Sequence, residues 1–281
     1  MSKFNLMHYI PDTRLHGLYG YMEVIESVEW GLKELGHEVD YSVNKYNQTA
    51  INIIFGAHLL PIDVLKQLPE NTIAYNFEQM RGLEKNQIKP EVQFIADHFQ
   101  IWEYSSFNLD TWKLFGVNNI KFVPVGYAPI LTRISKPKVQ DIDVLIYGTP
   151  GDKRLNAFSN LSMACLKTVF VCGLYGEARD ELIARSKIVL NVNLYDFAQI
   201  FEFTRVSYLL ANRKAVVASL DSNTAMDNDL FDAIKITTLE KIVDDCRRLL
   251  ENDDERVRLE NVGYEIFCNR DIKEILGRSL A

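Results

Sequence analysis

Two periods of apolar residues alternate along most of the chain. Residues 4–9 (FNLMHY) form a short apolar run that predicts a buried strand. Over 20–35 the apolar positions Tyr21, Val24, Ile25, Val28, Leu32 and Leu35 recur at the spacing of one helix face. Gly36 stops that helix, and 38–43 (EVDYSV) alternates as a strand does, so a βαβ unit opens the chain. The succession goes on with strand 51–56, a helix near 61–67, strand 72–76, a helix near 90–98, strand 100–104, helix 107–115 and strand 120–125. Strands that alternate with helices predict a parallel sheet covered on both faces.

Residues 126–141 hold one glycine and two prolines with no sustained period and read as a connector. A second series follows: strand 142–147, helix 153–165, strand 168–172, helix 177–186, strand 187–193, helix 201–212, strand 214–218, a short helix, strand 234–237 and helices to the end. The expected fold class is α/β, with two Rossmann-like domains facing across a cleft. The expected domains are 1–130 and 140–268. The acidic stretch 251–261 reads as a solvated helix face.

Composition and charge narrow the functional classes. With 281 residues, 47% hydrophobic and 25% charged, the chain can bury two cores without staples, and disorder is excluded. The net charge of -7 disfavours a nucleic-acid partner, which needs many phosphate contacts, but leaves room for an anionic small molecule held by a few donors. Cys165, Cys172, Cys246 and Cys268 lack metal-ligand spacing and read as reduced core thiols. With no leader pattern and no run of ~18 apolar residues, the expected location is cytoplasmic.

Ligands of open α/β sheets bind beyond the carboxyl ends of the strands, so polar residues at those ends are the candidates. The loop HGLYG, with Gly17 and Gly20, precedes a helix; it is either a tight turn or an anion contact, and it is not the GxGxxG of a nicotinamide site. Past later strands stand His58, Glu78 and Glu103. His58 is either a general base or a loop histidine satisfied by the backbone, and Glu78 either a functional carboxylate or half of an ion pair. In YGTPGDKRLNAF, Gly148 and Gly151 lead into a helix that begins with Lys153 and Arg154. Flexible backbone, a helix N-terminus and two cations describe a diphosphate cradle; the alternative is an exposed basic turn. Gly173 and Asn193 follow the next strands. Glu202 and Arg205 are three apart on one face of a helix start, where they suit sugar hydroxyls and phosphate, or else a surface ion pair.

The order DVLIYG with its Lys/Arg pair, then VFVCGLYGEARDELIARSKIVLNVN, then FEFTRVSYLLANRKAVVAS, resembles the donor-binding lobe of GT-B fold glycosyltransferases of the bacterial family 1-like group. The segment 101–127 is similar to the end of the acceptor lobe in that group. The resemblance implies a GT-B-like architecture in which a C-terminal helix, 269–281, packs back on the N-terminal domain. It implies transfer of a sugar from a nucleotide-sugar donor to a glycan or small hydroxyl acceptor, with no cofactor and no metal, and it is compatible with peripheral membrane association. The donor-binding set is then Gly17, Gly20, Gly148, Lys153, Arg154, Gly173, Asn193, Glu202 and Arg205. If the transfer inverts, the acceptor hydroxyl needs a base, for which Glu78, His58 and Asp12 in the first half are the candidates. Two positions depart from the family: Tyr208 stands where a second glutamate is usual and Arg213 where a glycine is usual. The rival readings are a non-catalytic two-lobed ligand-binding protein and a DNA-base glycosyltransferase.

Overall fold

The computed structural model describes residues 1–11, 16–194 and 199–281, with 16–18 described for their backbone alone. The chain divides into two compact units, Pro129–Arg270 forming one and Met1–Ala128 with Asp271–Ala281 the other.

The first unit contains β1 (Lys3–His8), α1 (Met22–Glu34), β2 (Glu38–Val43), β3 (Ile51–Phe55), α2 (Ile62–Leu65), β4 (Ile73–Asn76), α3 (Pro90–His98), β5 (Gln100–Glu103), α4 (Ser106–Leu114) and β6 (Ile120–Phe122). All strand pairs are parallel, in the order β2-β1-β3-β4-β5-β6. The order reverses at β1, which places a topological switch point between the β1 and β3 ends. One face is filled by Met7, Ile54, Ala74, Ile101, Trp112 and their neighbours. β6 is shorter than the apolar run 120–125 predicts, because Pro124 has no N–H for the ladder.

The second unit contains β7 (Ile142–Tyr147), α5 (Asp152–Met163), β8 (Thr168–Val171), α6 (Gly176–Arg185), β9 (Ser186–Val192), α7 (Phe203–Ala211), β10 (Ala215–Ser219), β11 (Lys235–Thr237), α8 (Ile242–Glu251) and α9 (Asp253–Cys268). Its parallel order, β11-β10-β9-β7-β8, repeats the first sheet's plan with the switch point between β7 and β9. β10 is buried at every residue, as a central parallel strand covered on both faces requires.

The last helix, α10 (Ile272–Leu280), belongs to the first unit and packs on α1. The approach is close enough to need a glycine: a Cβ on Gly31 would lie 2.8 Å from Leu276 and 3.2 Å from Ile272.

Several sequence expectations need correction. The connector 126–141 needs none, for the two units divide within it at Ala128/Pro129, and its later part is held to the second unit where Thr132 Oγ1 donates to the Ala211 carbonyl and the amides of Arg133 and Ile134 donate to Asn212 Oδ1. Of the four thiols only Cys246 is a core filler; Cys165 and Cys172 are exposed and Cys268 is half-buried. Cys165 stands past the end of α5 at φ +62°, and Cys172 just past the end of β8, where neither faces a core. The acidic run is not wholly solvated either, since Arg256 and Glu260 are buried and Lys136 pairs with Glu260 at 2.8 Å.

Candidate functional site

In the second unit the β7–β9 switch point gathers six of the candidates: Gly148, Lys153, Arg154, Asn193, Glu202 and Arg205. Strand β7 ends at Tyr147 and turns through Gly148, whose φ of +124° favours glycine. A Cβ there would also meet the Arg205 guanidinium at 3.0 Å and that of Arg154 at 3.1 Å. Gly148→Ala is therefore expected to lower stability by about 1–3 kcal/mol, from backbone strain and displaced guanidinium groups. Unchanged denaturant unfolding would remove Gly148 from the construction of the site.

Lys153 and Arg154 open α5 as expected, but they do not form a paired cradle. Consecutive helical residues point about 100° apart, and here they take separate partners. Arg154 is buried, at 1% exposure. Its Nε donates to the Val192 carbonyl at 2.8 Å, its Nη1 to the Thr149 carbonyl at 2.9 Å, and its Nη2 to both carboxylate oxygens of Glu202 at 3.2 and 3.0 Å. Its guanidinium is thereby committed to protein acceptors. Lys153 is partly exposed and pairs with Asp221 at 2.8 Å.

Glu202 occupies the N-cap position of α7, so the helix begins at Phe203 rather than at 201. Its carboxylate bridges two guanidinium groups, Arg154 on one side and Arg205 Nη2 at 3.3 Å on the other. Arg205 lies over the Tyr147 ring, 5.4 Å from its centroid, so cation–π contact and the ion pair together fix its direction. Both Glu202 and Arg205 keep about a fifth of their side-chain surface open. A hydroxyl-accepting carboxylate and a forked cation thus stand side by side at a strand end. The helix α5 behind them has Gly151 as its N-cap and no side-chain cap for its first N–H groups.

Asn193, just past β9, is buried; its Nδ2 donates to Thr224 Oγ1 at 3.3 Å, and its Oδ1 has no hydrogen-bond partner among the described residues. Gly173 is an exposed turn residue beyond β8, at φ +70°. Tyr208, where the resemblance leads one to expect a second glutamate, turns elsewhere: its hydroxyl donates to Asp180 at 2.6 Å and accepts from Arg133 at 2.9 Å. Arg213 takes φ +48°, the left-handed conformation that a glycine would supply without strain.

The first unit holds a different group. His58 follows β3 and Glu78 follows β4, and His58 Nε2 lies 3.3 Å from Glu78 Oε1. Burial holds the His58 imidazole below its usual range, with Glu78 acting in the opposite sense and Lys89 adding to the lowering. Tyr21 donates its hydroxyl to Glu78, and burial with the Glu78 charge keeps that phenol protonated far above the usual range. Glu78 is the most open of the three, with 47% of its side chain exposed, and two donors aim its carboxylate. Asp12 lies outside the described residues. Gly17 and Gly20 belong to this first unit and not to the Arg154–Glu202–Arg205 group. They sit in a 3-10 turn, His16–Tyr21, that runs directly into α1, and a Cβ on Gly20 would meet nothing within 4 Å.

Sequence reasoning missed Tyr21, read only as an apolar position of the helix, and Asn76, Asn108 and Trp112, which surround Glu103. It also missed Asp221 as the partner of Lys153. Among the described residues no group of three or more His, Cys, Asp or Glu side chains is placed to hold a metal ion, and no helix is long and apolar enough to cross a membrane.

No protein-family model and no curated protein sequence matches the chain. Solved structures do. Anabaena Alr3699/HepE, in complex with UDP and glucose, aligns over 100% of this chain and 99% of its own at 10% identity and a TM-score of 0.66. AviGT4, a glycosyltransferase involved in avilamycin A biosynthesis, aligns over 100% and 96% at 14% identity and 0.57. The DNA-modifying enzyme β-glucosyltransferase, with the substrate uridine diphosphoglucose, aligns over 99% and 98% at 11% identity and 0.60. At these identities the likeness establishes the fold, which is GT-B.

Proposed function

We propose that this chain is a metal-independent glycosyltransferase that moves a sugar from a nucleotide-sugar donor to a hydroxyl acceptor, a glycan or a small molecule. The observation that carries the reading is the Glu202–Arg205 pair at the switch point of the second sheet, anchored from behind by Arg154 and lying next to the uncapped start of α5. A carboxylate takes hydrogen bonds from sugar or ribose hydroxyls. Departure of a nucleoside diphosphate develops negative charge, for which Arg205, Lys153 and the helix N-termini supply positive ends. The structural likeness to proteins crystallised with UDP, glucose and uridine diphosphoglucose supports the same donor class.

In the first unit Glu78, held by His58 and Tyr21, accepts the hydrogen bond of the acceptor hydroxyl. Lowering of the His58 pKa keeps the imidazole neutral at pH 7, so the pair can take up a proton. The charge of -7 weighs against nucleic acid as the acceptor, although one enzyme of this fold modifies DNA. Four free thiols, two of them exposed, suit a reducing compartment such as the cytoplasm.

A panel of nucleotide sugars tests the reading. The cognate donor at 100 times its Kd is expected to stabilise the fold by about 2.7 kcal/mol through mass action, and to release its nucleoside diphosphate on turnover. Stabilisation without release would make the chain a binding protein, and neither effect with any donor would end the proposal.

A further inference from the structure

Glu103 ends β5 with no exposed surface and four N–H groups on its carboxylate. Oε1 accepts from the Ser105 amide at 3.0 Å and from Asn108 Nδ2 at 2.9 Å; Oε2 accepts from Asn76 Nδ2 at 2.8 Å and from Trp112 Nε1 at 2.8 Å. Both asparagine Nδ2 groups carry a second hydrogen, and both reach the Glu78 carbonyl, at 3.0 Å from Asn76 and 2.9 Å from Asn108. Their Oδ1 atoms face the backbone beyond: Asn76 accepts from the Glu78 amide at 3.2 Å, and Asn108 from the amides of Met80 and Arg81 at 2.8 and 2.9 Å. The turn 78–81 hangs on two amide side chains, and those side chains on one carboxylate.

The chemistry explains why a carboxylate stands there. An ionised glutamate only accepts, so it obliges both asparagines to present Nδ2 to it, and thereby Oδ1 to the N–H groups of the turn. A glutamine could satisfy some of the four donors but would set its own NH2 against others. A buried charge is costly, and this one is offset because every neighbour donates.

We propose that Glu103 is a positioning residue for the acceptor-side carboxylate, fixing through Asn76 and Asn108 the turn that carries Glu78. The proposal rests on the reading of Glu78 as the acceptor contact. It adds a residue that touches neither substrate and a dependence on pH.

Burial pushes the Glu103 carboxyl up to about 7, against the four hydrogen bonds that favour its ionised form. Each oxygen faces two donors, so a proton on either one opposes an N–H and loosens a latch. The other groups around it are accounted for. Tyr75 on β4 is held neutral by burial, its hydroxyl donating to the Val123 carbonyl; Glu78 and Arg81 lie on the turn and His58 on the loop after β3. From α4 the uncharged Asn108 and Trp112 face it, while Asp110 and Lys113 are exposed and paired with each other. Because the folded pKa is raised, the unfolded chain releases this proton first as pH rises. The group's penalty to global stability therefore sets in between about 4.5 and 7, and acidification through 7 relieves it. The latch thus loosens in the direction in which this group makes the fold more stable, which separates positioning from a structural role.

The test is hydrogen exchange of the Glu78, Met80 and Arg81 amides in the full chain, as protection factors corrected for intrinsic rate between pH 6 and 8. In the parent these three are expected to lose protection on the order of tenfold toward pH 6, while the β4 and β5 amides hold theirs. Glu103→Gln should show low protection at every pH and a kcat reduced on the order of tenfold, with the donor KM unchanged; Glu103→Asp should recover part of both. The parent series stands even where a variant fails to fold. Protection that is flat with pH in the parent, or unchanged in Glu103→Gln, overturns the proposal. Glu78→Gln tells the two readings apart. If that variant keeps parental kcat while the amides behave as expected, the acceptor assignment has failed and the proposal falls with it; if it loses kcat while the amides do not respond, the positioning alone has failed.

Discussion

Arg154→Met is expected to destabilise the second unit by about 1–3 kcal/mol, seen as an earlier denaturant or thermal transition. The guanidinium is 1% exposed and gives four hydrogen bonds to three groups. Methionine fills much of the volume, so the cost is polar. The Val192 carbonyl at the end of a buried strand loses a donor, at about 1–3 kcal/mol. Thr149 is exposed and water can replace its donor. Glu202 keeps Arg205 and partial access to water, so it is not stranded as a fully buried charge would be. Lysine should not rescue, because one ammonium cannot serve three acceptors in the plane of a fork. Lys153→Ala, by contrast, removes a half-open ion pair with Asp221 worth about 0–1 kcal/mol, and should leave folding intact while weakening the donor. Equal effects of the two substitutions on stability would mean that the pair acts as the exposed basic turn that adjacency in sequence suggests.

That contrast marks the limit of what the sequence carries. Strands such as AVVAS at 215–219 were legible because a parallel sheet covered on both faces leaves an unbroken apolar run, and α7 because Val206, Leu209 and Leu210 keep helical spacing. The polar groups at the strand ends were legible as types, since strand ends are where ligands bind. Their partners were not. Arg154 meets Val192 and Glu202 across 38 and 48 residues, and Glu103 meets Asn76 across 27. Neither local period nor motif specifies such pairings. Arg154 and Lys153 look alike in a helix's first turn, and only the sheet's register decides which one is buried. The buried Arg256 and Glu260 were hidden in the same way, by the charged residues around them.

The largest effect on turnover is expected at Glu202. Its carboxylate is fixed from two sides, by Arg154 Nη2 and Arg205 Nη2, so what remains open to a ligand is an oriented, electron-rich edge. Such an edge accepts from hydroxyls and repels phosphate, whereas Arg205 beside it does the reverse. On the proposed reading the two residues divide the donor between them, hydroxyls to one and diphosphate to the other. Glu202→Gln keeps the shape but removes the charge, and its NH2 group opposes a guanidinium wherever it turns. Turnover with the cognate donor should drop between tenfold and a hundredfold, the equivalent of about 1.4–2.7 kcal/mol in the barrier. Folding should lose only about 1 kcal/mol, because Glu202 keeps partial access to water and Arg154 retains its two carbonyl acceptors. Arg205→Ala should act on binding instead, weakening the free nucleoside diphosphate by on the order of tenfold, because the proposed function gives its charge to the diphosphate. Steady-state kinetics with both variants, alongside direct titration of the nucleoside diphosphate, separates these effects. Parental turnover in Glu202→Gln together with parental nucleoside diphosphate binding in Arg205→Ala would leave α7 a structural helix and move the donor away from the β7–β9 switch point.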